Sequence, residues 1–240
     1  EFDWIYVDPS RRNDTKGKVF LLEDCLPNIP KNLDFLFECS PQILIKNSPM
    51  LDIQRSLKEL KFIKEIHVVA VQNEVKELLF SLKKDFRERV YIKTINITRE
   101  APQYFSFFYR DETAANYSEP KCFLYEPNAA ILKSGAFQQV ATQFKINKIH
   151  QHSHLYTSDV LIAHFPGRIF KIKHQLKYDK KTLLKHLPSK KANITTRNFP
   201  ETVAQIRKKT KLKDGGEEYL FFTTDLNENK IVLLCQKTTL

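Results

Sequence analysis

The chain has 240 residues, 42% hydrophobic, 12% aromatic and 28% charged, with a formal net charge of +11. The aromatic content and the repeated apolar runs exclude a wholly disordered chain. Lys, Glu or Asp interrupts every apolar stretch before the roughly 20 residues a membrane helix needs. The five glycines never fall into GxGxxG or GxxxxGK spacing, which excludes a glycine-rich dinucleotide or phosphate loop within these residues.

In chain order, Phe2 to Val7 predicts a strand that ends at Asp8-Pro9-Ser10, and Arg11 to Lys18 a polar loop. A strand this apolar needs neighbours on both sides, so the chain is expected to be a fragment that has lost upstream sequence. Lys31 to Cys39 predicts a helix, Gln42 to Lys46 a strand, and Met50 to Leu60 an amphipathic helix carrying Leu51, Ile53, Leu57 and Leu60. Ile66 to Val71 predicts a strand. Asn73 is read as the cap of a helix running to about Lys83, with Val75, Leu78, Leu79 and Leu82 on one face. Arg89 to Ile97 and Tyr104 to Tyr109 predict two more strands. Residues 1 to 115 therefore read as the later half of a strand-helix-strand open sheet, an α/β unit.

The polar stretch Thr113 to Pro120 is read as a boundary, and residues 120 to 240 as a smaller α+β domain. Asn128 to Phe144 predicts a helix broken near Gly135. Arg168 to His174 predicts a strand, Lys180 to Leu187 a short helix and Ile194 to Arg197 a strand. Pro200 is placed in the first turn of a helix that runs to Thr210. Gly215-Gly216 reads as a turn. Glu218 to Thr224 and Lys230 to Lys237 then form an antiparallel hairpin.

The charge is not spread evenly. Residues 171 to 213 hold 14 basic residues against two acidic ones. Lys180, Lys181, Arg197, Lys208 and Lys209 belong to this window. Such a field attracts polyanions and predicts salt-dependent nucleic-acid binding; the alternative is a solvated lysine-rich face that aids solubility. Tyr125, Phe170, Tyr178 and Phe199 accompany the window and either stack bases or fill a core. The four cysteines form no CxxC pair, and with no secretion signal they point to reduced thiols and a cytosolic protein. His150, His152 and His154 would share one face of a strand. Apart from Asp159, no further ligand stands at metal spacing, so no metal is expected.

The sharpest local feature is Asp8-Pro9-Ser10-Arg11-Arg12. An apolar strand delivers Asp8 to its carboxyl end, where open α/β sheets place ligands. Pro9 biases Asp8 toward extended geometry and stiffens the turn. Arg11 and Arg12 add donors suited to a phosphate or carboxylate. Lys46, Ser48 and Asp52 follow the next strand and are placed on the same rim. The alternative is an ordinary strand end with surface arginines and a surface pair at a helix start.

This segment resembles the Asp/Asn-Pro-Pro-aromatic motif that closes the fourth strand of class I S-adenosylmethionine-dependent methyltransferases. Asp8-Pro9 fit, Ser10 stands for the second Pro and Arg11 for the aromatic. A wider resemblance is to a bacterial, Bacteroidetes-type family of methyltransferases with a THUMP-like C-terminal domain. It rests on Asp8 to Arg12, Glu23-Asp24-Cys25, Ser48 to Asp52, Tyr125-Glu126-Pro127-Asn128, His154 to Ser158, Phe165-Pro166-Gly167-Arg168, Arg197 to Pro200 and Lys213 to Gly216.

The resemblance implies the C-terminal half of a Rossmann-like methyltransferase sheet followed by a THUMP-like α+β domain that binds RNA. It implies S-adenosylmethionine as cofactor, with its site mostly upstream of this chain, so the isolated fragment is expected to be inactive. Asp8, Pro9 and Ser10 become the catalytic segment. Arg11, Arg12, Lys46, Ser48, Asp52, Lys180, Lys181, Arg197, Lys208 and Lys209 become substrate-binding. No aromatic follows Pro9, so no base specificity carries over. Cys25 does not match the placement of a nucleophilic cysteine in carbon-5 pyrimidine methyltransferases. Two other readings stay open: a non-catalytic nucleic-acid-binding or scaffold protein on the same fold, and a methyltransferase of protein or small molecules.

Overall fold

The structure is a computed structural model, and it describes residues 1–11 and 22–238. The chain divides into two compact units, one of Glu1–Glu112 with Ala129–Ala136, the other of Thr113–Asn128 with Phe137–Leu240. Both are mixed α/β structures built on mixed sheets.

The first unit begins with β1 (Ile5–Val7), followed by a short ribbon of β2 (Ser10–Arg11) and β3 (Cys25–Leu26). Helix α1 (Ile29–Cys39) starts where Asn28 accepts a hydrogen bond from the Lys31 amide, and it buries Ile29, Leu33 and Phe37. The crossover lets β4 (Gln42–Asn47) lie parallel to β1, which a tight turn cannot do. Helix α2 (Ile53–Glu59) follows, then β5 (Ile63–Val71), β6 (Glu74–Lys83), β7 (Tyr91–Ile97) and β8 (Gln103–Phe108). The sheet order is β1-β4-β6-β5-β7-β8, with β1–β4 and β5–β7 parallel and the other pairs antiparallel. Helix α3 (Ala129–Ser134) packs on β5, β6 and β7.

One expectation is overturned here. Residues 74–83 form strand β6 and not a helix. Leu78, Phe80 and Leu82 are fully buried at a spacing of two, and this alternation outweighs the helical spacing of Val75, Leu78, Leu79 and Leu82. Gln72 and Asn73 both have positive φ, 50° and 64°, and make the tight turn between β5 and β6. Asn73 does cap a helix, but a distant one: its side-chain oxygen accepts from the Ala129 amide at 2.8 Å, at the start of α3.

The second unit contains β9 (Phe123–Pro127), α4 (Phe137–Phe144), β10 (Asn147–Lys148), β11 (Tyr156–Ser158), β12 (Gly167–Lys177), α5 (Lys180–His186), β13 (Asn193–Arg197), α6 (Val203–Thr210), β14 (Glu218–Thr224) and β15 (Lys230–Lys237). The order is β10-β11-β9-β12-β15-β14-β13, antiparallel except between β13 and β14. Strands β14 and β15 are buried on both faces. Leu220, Phe222, Val232 and Leu234 meet Leu183, Leu187 and Ile206 from α5 and α6. Phe221, Ile231, Leu233 and Cys235 meet Leu124, Ile149, Leu155 and Phe170. Burial pushes the Cys235 thiol up, as for an inert core cysteine. None of the four cysteines forms a disulfide.

The expected break at Gly135 separates α3 from α4, with φ at +77°. The expected hairpin of Glu218 to Lys237 is present. Pro200 lies outside helix α6: the start is set by Thr202 and Gln205, whose side chains each accept a hydrogen bond from the other's amide. Among the described residues no helix is long and apolar enough to cross a membrane.

Candidate active segment and basic face

In the first unit, Asp8 follows directly on β1, and Lys46 sits near the end of the parallel β4. Lys46 Nζ lies 2.6 Å from Asp8 Oδ2 and 3.8 Å from a Glu77 carboxylate oxygen on β6. The hydrogen bond to Asp8 holds the Lys46 ammonium above its ordinary pKa. Pro9 is buried, and the Ser10 hydroxyl donates to the Leu26 carbonyl at 3.3 Å. The fold therefore joins Asp8 and Lys46 at neighbouring carboxyl ends and adds Glu77. The sequence reading missed Glu77 because it placed the residue on a helix. Alternation through Glu77, Leu79 and Ser81 against Leu78, Phe80 and Leu82 was the available signal.

Ser48 and Asp52 spend their polar atoms on the local backbone. Ser48 Oγ accepts from the Met50 amide, and Asp52 is the N-cap of α2, accepting from the Arg55 amide at 2.8 Å. The Arg11 backbone pairs with Cys25 in the ribbon, while its side chain and all of Arg12 lie outside the described residues.

The basic window wraps α5 and α6 in the second unit. Lys173 pairs with Glu218 at 3.1 Å, Lys209 with Glu201 at 2.8 Å, and Arg207 with Asp214. Lys180, Lys181, Lys185, Lys190, Lys191, Lys208 and Lys213 are exposed and form no ion pair among the described residues. Lys180 and Lys181 occupy the first turn of α5, where the helix dipole disfavours cations. Helix stability does not account for them there. The N-cap Asp179 offsets part of that cost, its carboxyl held below the usual range by the Thr182 amide and hydroxyl. Lys208 and Lys209 occupy the last turn of α6, where cations are favoured.

The aromatic candidates resolve into core. Tyr125 and Phe170 are fully buried, and Tyr178 and Phe199 pack edge-on against Phe222. Burial, and then the hydrogen bond it donates to Glu201, push the Tyr178 phenol up to about 12.

Arg197 does something the sequence reading did not foresee. Its Nε and Nη2 both meet Glu126 Oε1, at 3.2 and 2.8 Å. Arg168 grips the other oxygen, Oε2, through Nε at 2.7 Å and through Nη2. The Glu126 side chain is 4% exposed, whereas Arg168 and Arg197 are 38% and 36% exposed. Sheet order places three strands between β9 and β13, so this meeting requires the sheet to coil back strongly; β12 carries a bulge between Ile172 and His174.

The histidine cluster is a turn, not a strand face. His150 is buried and bonded on both ring nitrogens. Nδ1 accepts from the His152 amide and the Asn198 side chain, so Nε2 donates to Glu228 at 2.7 Å. His154, at φ +53°, stacks on Phe137 with ring centroids 3.6 Å apart, and its buried Nδ1 has no hydrogen-bond partner. Burial, then the charges of Lys148, Arg197 and His152, pull its pKa down from 6.5 to about 4. Among the described residues no group of three metal-ligating side chains is gathered.

A pH prediction follows with a definite sign. His154 is neutral when folded and gains a proton more readily when unfolded. Its contribution to stability is complete above pH 6.5 and is lost as pH falls toward about 4. Urea unfolding of the wild type should therefore weaken across that window. His154→Asn, which tolerates the left-handed backbone, should show a smaller loss. An unchanged pH profile would refute this assignment.

Comparison with known proteins finds family matches for the C-terminal half of the chain. Residues 123–166 match a family described as a ferredoxin-like domain, and residues 167–237 match one described as THUMP domain-like. No curated protein matches the chain. Over 99% of its length the chain is similar, at 35% identity and a TM-score of 0.89, to a crystal structure from Porphyromonas gingivalis W83 described as a "putative methyltransferase". The chain spans 60% of the length of that protein.

Proposed function

We propose that this chain is part of an S-adenosylmethionine-dependent methyltransferase that acts on RNA. The observation that carries the reading is the 35% identity with the Porphyromonas gingivalis protein along essentially the whole chain. The THUMP domain-like match and the unpaired lysines of α5 and α6 support RNA as the substrate.

The described residues do not fit the cofactor itself. Gly135 opens onto free space, Gly167 packs on the β9 backbone, and Gly215 and Gly216 form a turn of the second unit. None lies at a strand-to-helix turn of the first sheet, where a nucleoside could approach the backbone. In this reading the methyl donor is held by another part of a longer protein. Residues of this chain act on the acceptor. Asp8 presents its carboxylate at the strand end, with Lys46 fixing Oδ2 and leaving Oδ1 for a hydrogen bond or proton from the attacking group. Lys46, itself 3.8 Å from Glu77, holds that carboxylate in one orientation.

The test is calorimetric titration of S-adenosylmethionine and S-adenosylhomocysteine into this chain and into the longer gene product. Binding by the longer protein alone, with methyl transfer to RNA that is lost in Asp8→Asn, is the expected result. Absence of binding by both refutes the enzyme reading. RNA retention without cofactor binding would instead favour a nucleic-acid-binding scaffold.

A further inference from the structure

The Glu126 clamp holds more positive charge than its own geometry needs. One arginine would neutralise the buried carboxylate, yet two are present. Each uses only its Nε/Nη2 edge on Glu126. The opposite edge of each guanidinium, with Nη1, has no partner among the described residues, and both side chains are more than a third exposed. Nearby, Lys148 is 1% exposed and donates only to a neutral carbonyl, that of Gln151, at 2.9 Å. Both Lys148 and Arg197 lie close enough to His154 for their charges to act on its imidazole. Arg168 and Arg197 thus converge on one carboxylate, and the charges of Arg197 and Lys148 both reach an imidazole whose Nδ1 has no hydrogen-bond partner.

A guanidinium anchored along one edge keeps its other edge rigid and presented, and so loses little rotamer freedom on binding an anion. Two such edges, fixed by opposite oxygens of one carboxylate, offer several donors in two planes. That arrangement suits a tetrahedral oxyanion better than a flat carboxylate. The lysines of α5 and α6 are mobile point charges by comparison, suited to following a strand but not to fixing one group.

We propose that Arg168 and Arg197, oriented by Glu126, form a receptor for a phosphate group of the bound nucleic acid. The receptor sets the register of the strand, while the lysines supply general attraction. This rests on the RNA-binding reading above and adds a specific contact to it. Glu126 is a positioning residue here, and the arginines make the contact. The phosphate is either a strand-terminal monoester or an internal diester, and both present at least two non-bridging oxygens to the arginines.

The experiment follows the arginine Nε–H resonances of the wild-type chain by NMR while inorganic phosphate replaces chloride at constant ionic strength. Saturable shifts confined to Arg168 and Arg197 are expected. Three oligoribonucleotides of one sequence are then compared, carrying a 5′-phosphate, a 3′-phosphate or hydroxyl ends. Preference for a phosphorylated end identifies a monoester; equal binding that still shifts both arginines identifies a diester. Arg168→Lys and Arg197→Lys keep the charge but lose the fork, and each should weaken binding about tenfold, the scale of one charge-assisted hydrogen bond. Thermal unfolding of these variants without ligand checks that the clamp still folds. Absence of saturable arginine shifts in the wild type, or full affinity in both folded variants, overturns the receptor. RNA binding that survives this result leaves the RNA reading intact. Phosphate shifts without RNA binding overturn the RNA reading alone.

Discussion

Gly167→Ala should destabilise the second unit more than the same change at any other described glycine. A Cβ at this position would lie 2.1 Å from the Glu126 carbonyl oxygen, 2.8 Å from the Phe165 ring and 2.9 Å from the Pro127 Cα. The φ angle is ordinary, so the requirement is space and not backbone freedom. Two of the three contacts are backbone atoms of β9, which cannot rotate away as a side-chain tip can. The β9–β12 pairing would have to open where it holds Arg168 opposite Glu126. We expect a loss of about 3 kcal/mol or more, the range of strongly disruptive core changes. Chemical denaturation gives the magnitude. Amide exchange should show the weakening concentrated in β9 and the start of β12. Gly215→Ala is the control: it meets open space, and its φ of +91° alone should cost about 1 kcal/mol. Equal effects at the two positions would contradict the packing argument.

Reversing four lysines, Lys180, Lys181, Lys208 and Lys209, to Glu should remove most RNA affinity and flatten its salt dependence. Single-strand binding loses about 0.7 in log–log slope per phosphate contact, so four lost contacts lower the slope by about 3. Lys209 is shared with Glu201, and its share should be the smallest of the four. The first two occupy a helix start where cations are unfavourable, so their replacement should leave α5 no less stable. Binding measured from low to high salt, with unfolding curves for each variant, separates the two effects. An unchanged slope would mean that this face does not meet the nucleic acid.

How much of this was legible depends on whether the deciding contact is local. Helices α5 and α6 and the β14–β15 hairpin announce themselves through caps, turns and periodicity within a few residues. The Asp8 strand end was equally plain. Residues 73–83 misled because apolar residues at 75, 78, 79 and 82 satisfy a helical period while 78, 80 and 82 satisfy a strand. The tight turn at Gln72 and Asn73 decided the outcome, and Asn at a left-handed position was the clue. The histidines misled in the opposite sense, since alternation was assumed for a segment that is a turn.

The Glu126 clamp lay beyond local reading altogether, because its partners stand 42 and 71 residues away. A signal did exist in Phe123-Leu124-Tyr125-Glu126-Pro127. A lone acid in an otherwise apolar strand must find a cation or stay out of the core. Gly167 beside Arg168 marked where one cation would come from.

The return of residues 129–136 to the first unit has a practical consequence for dissecting the protein. The two units are interlaced along the chain, not strung end to end. A truncation at residue 112 would strip α3 from β5, β6 and β7, together with its buried Ala130 and Ile131 and the Asn73 hydrogen bond. No single cut yields two intact pieces. A nick between 113 and 122, ahead of β9, by contrast, cuts no strand or helix of either unit, and both stay complete as long as the pieces remain associated. Protease mapping should therefore be read by whether fragments separate, and not only by where the backbone is cut.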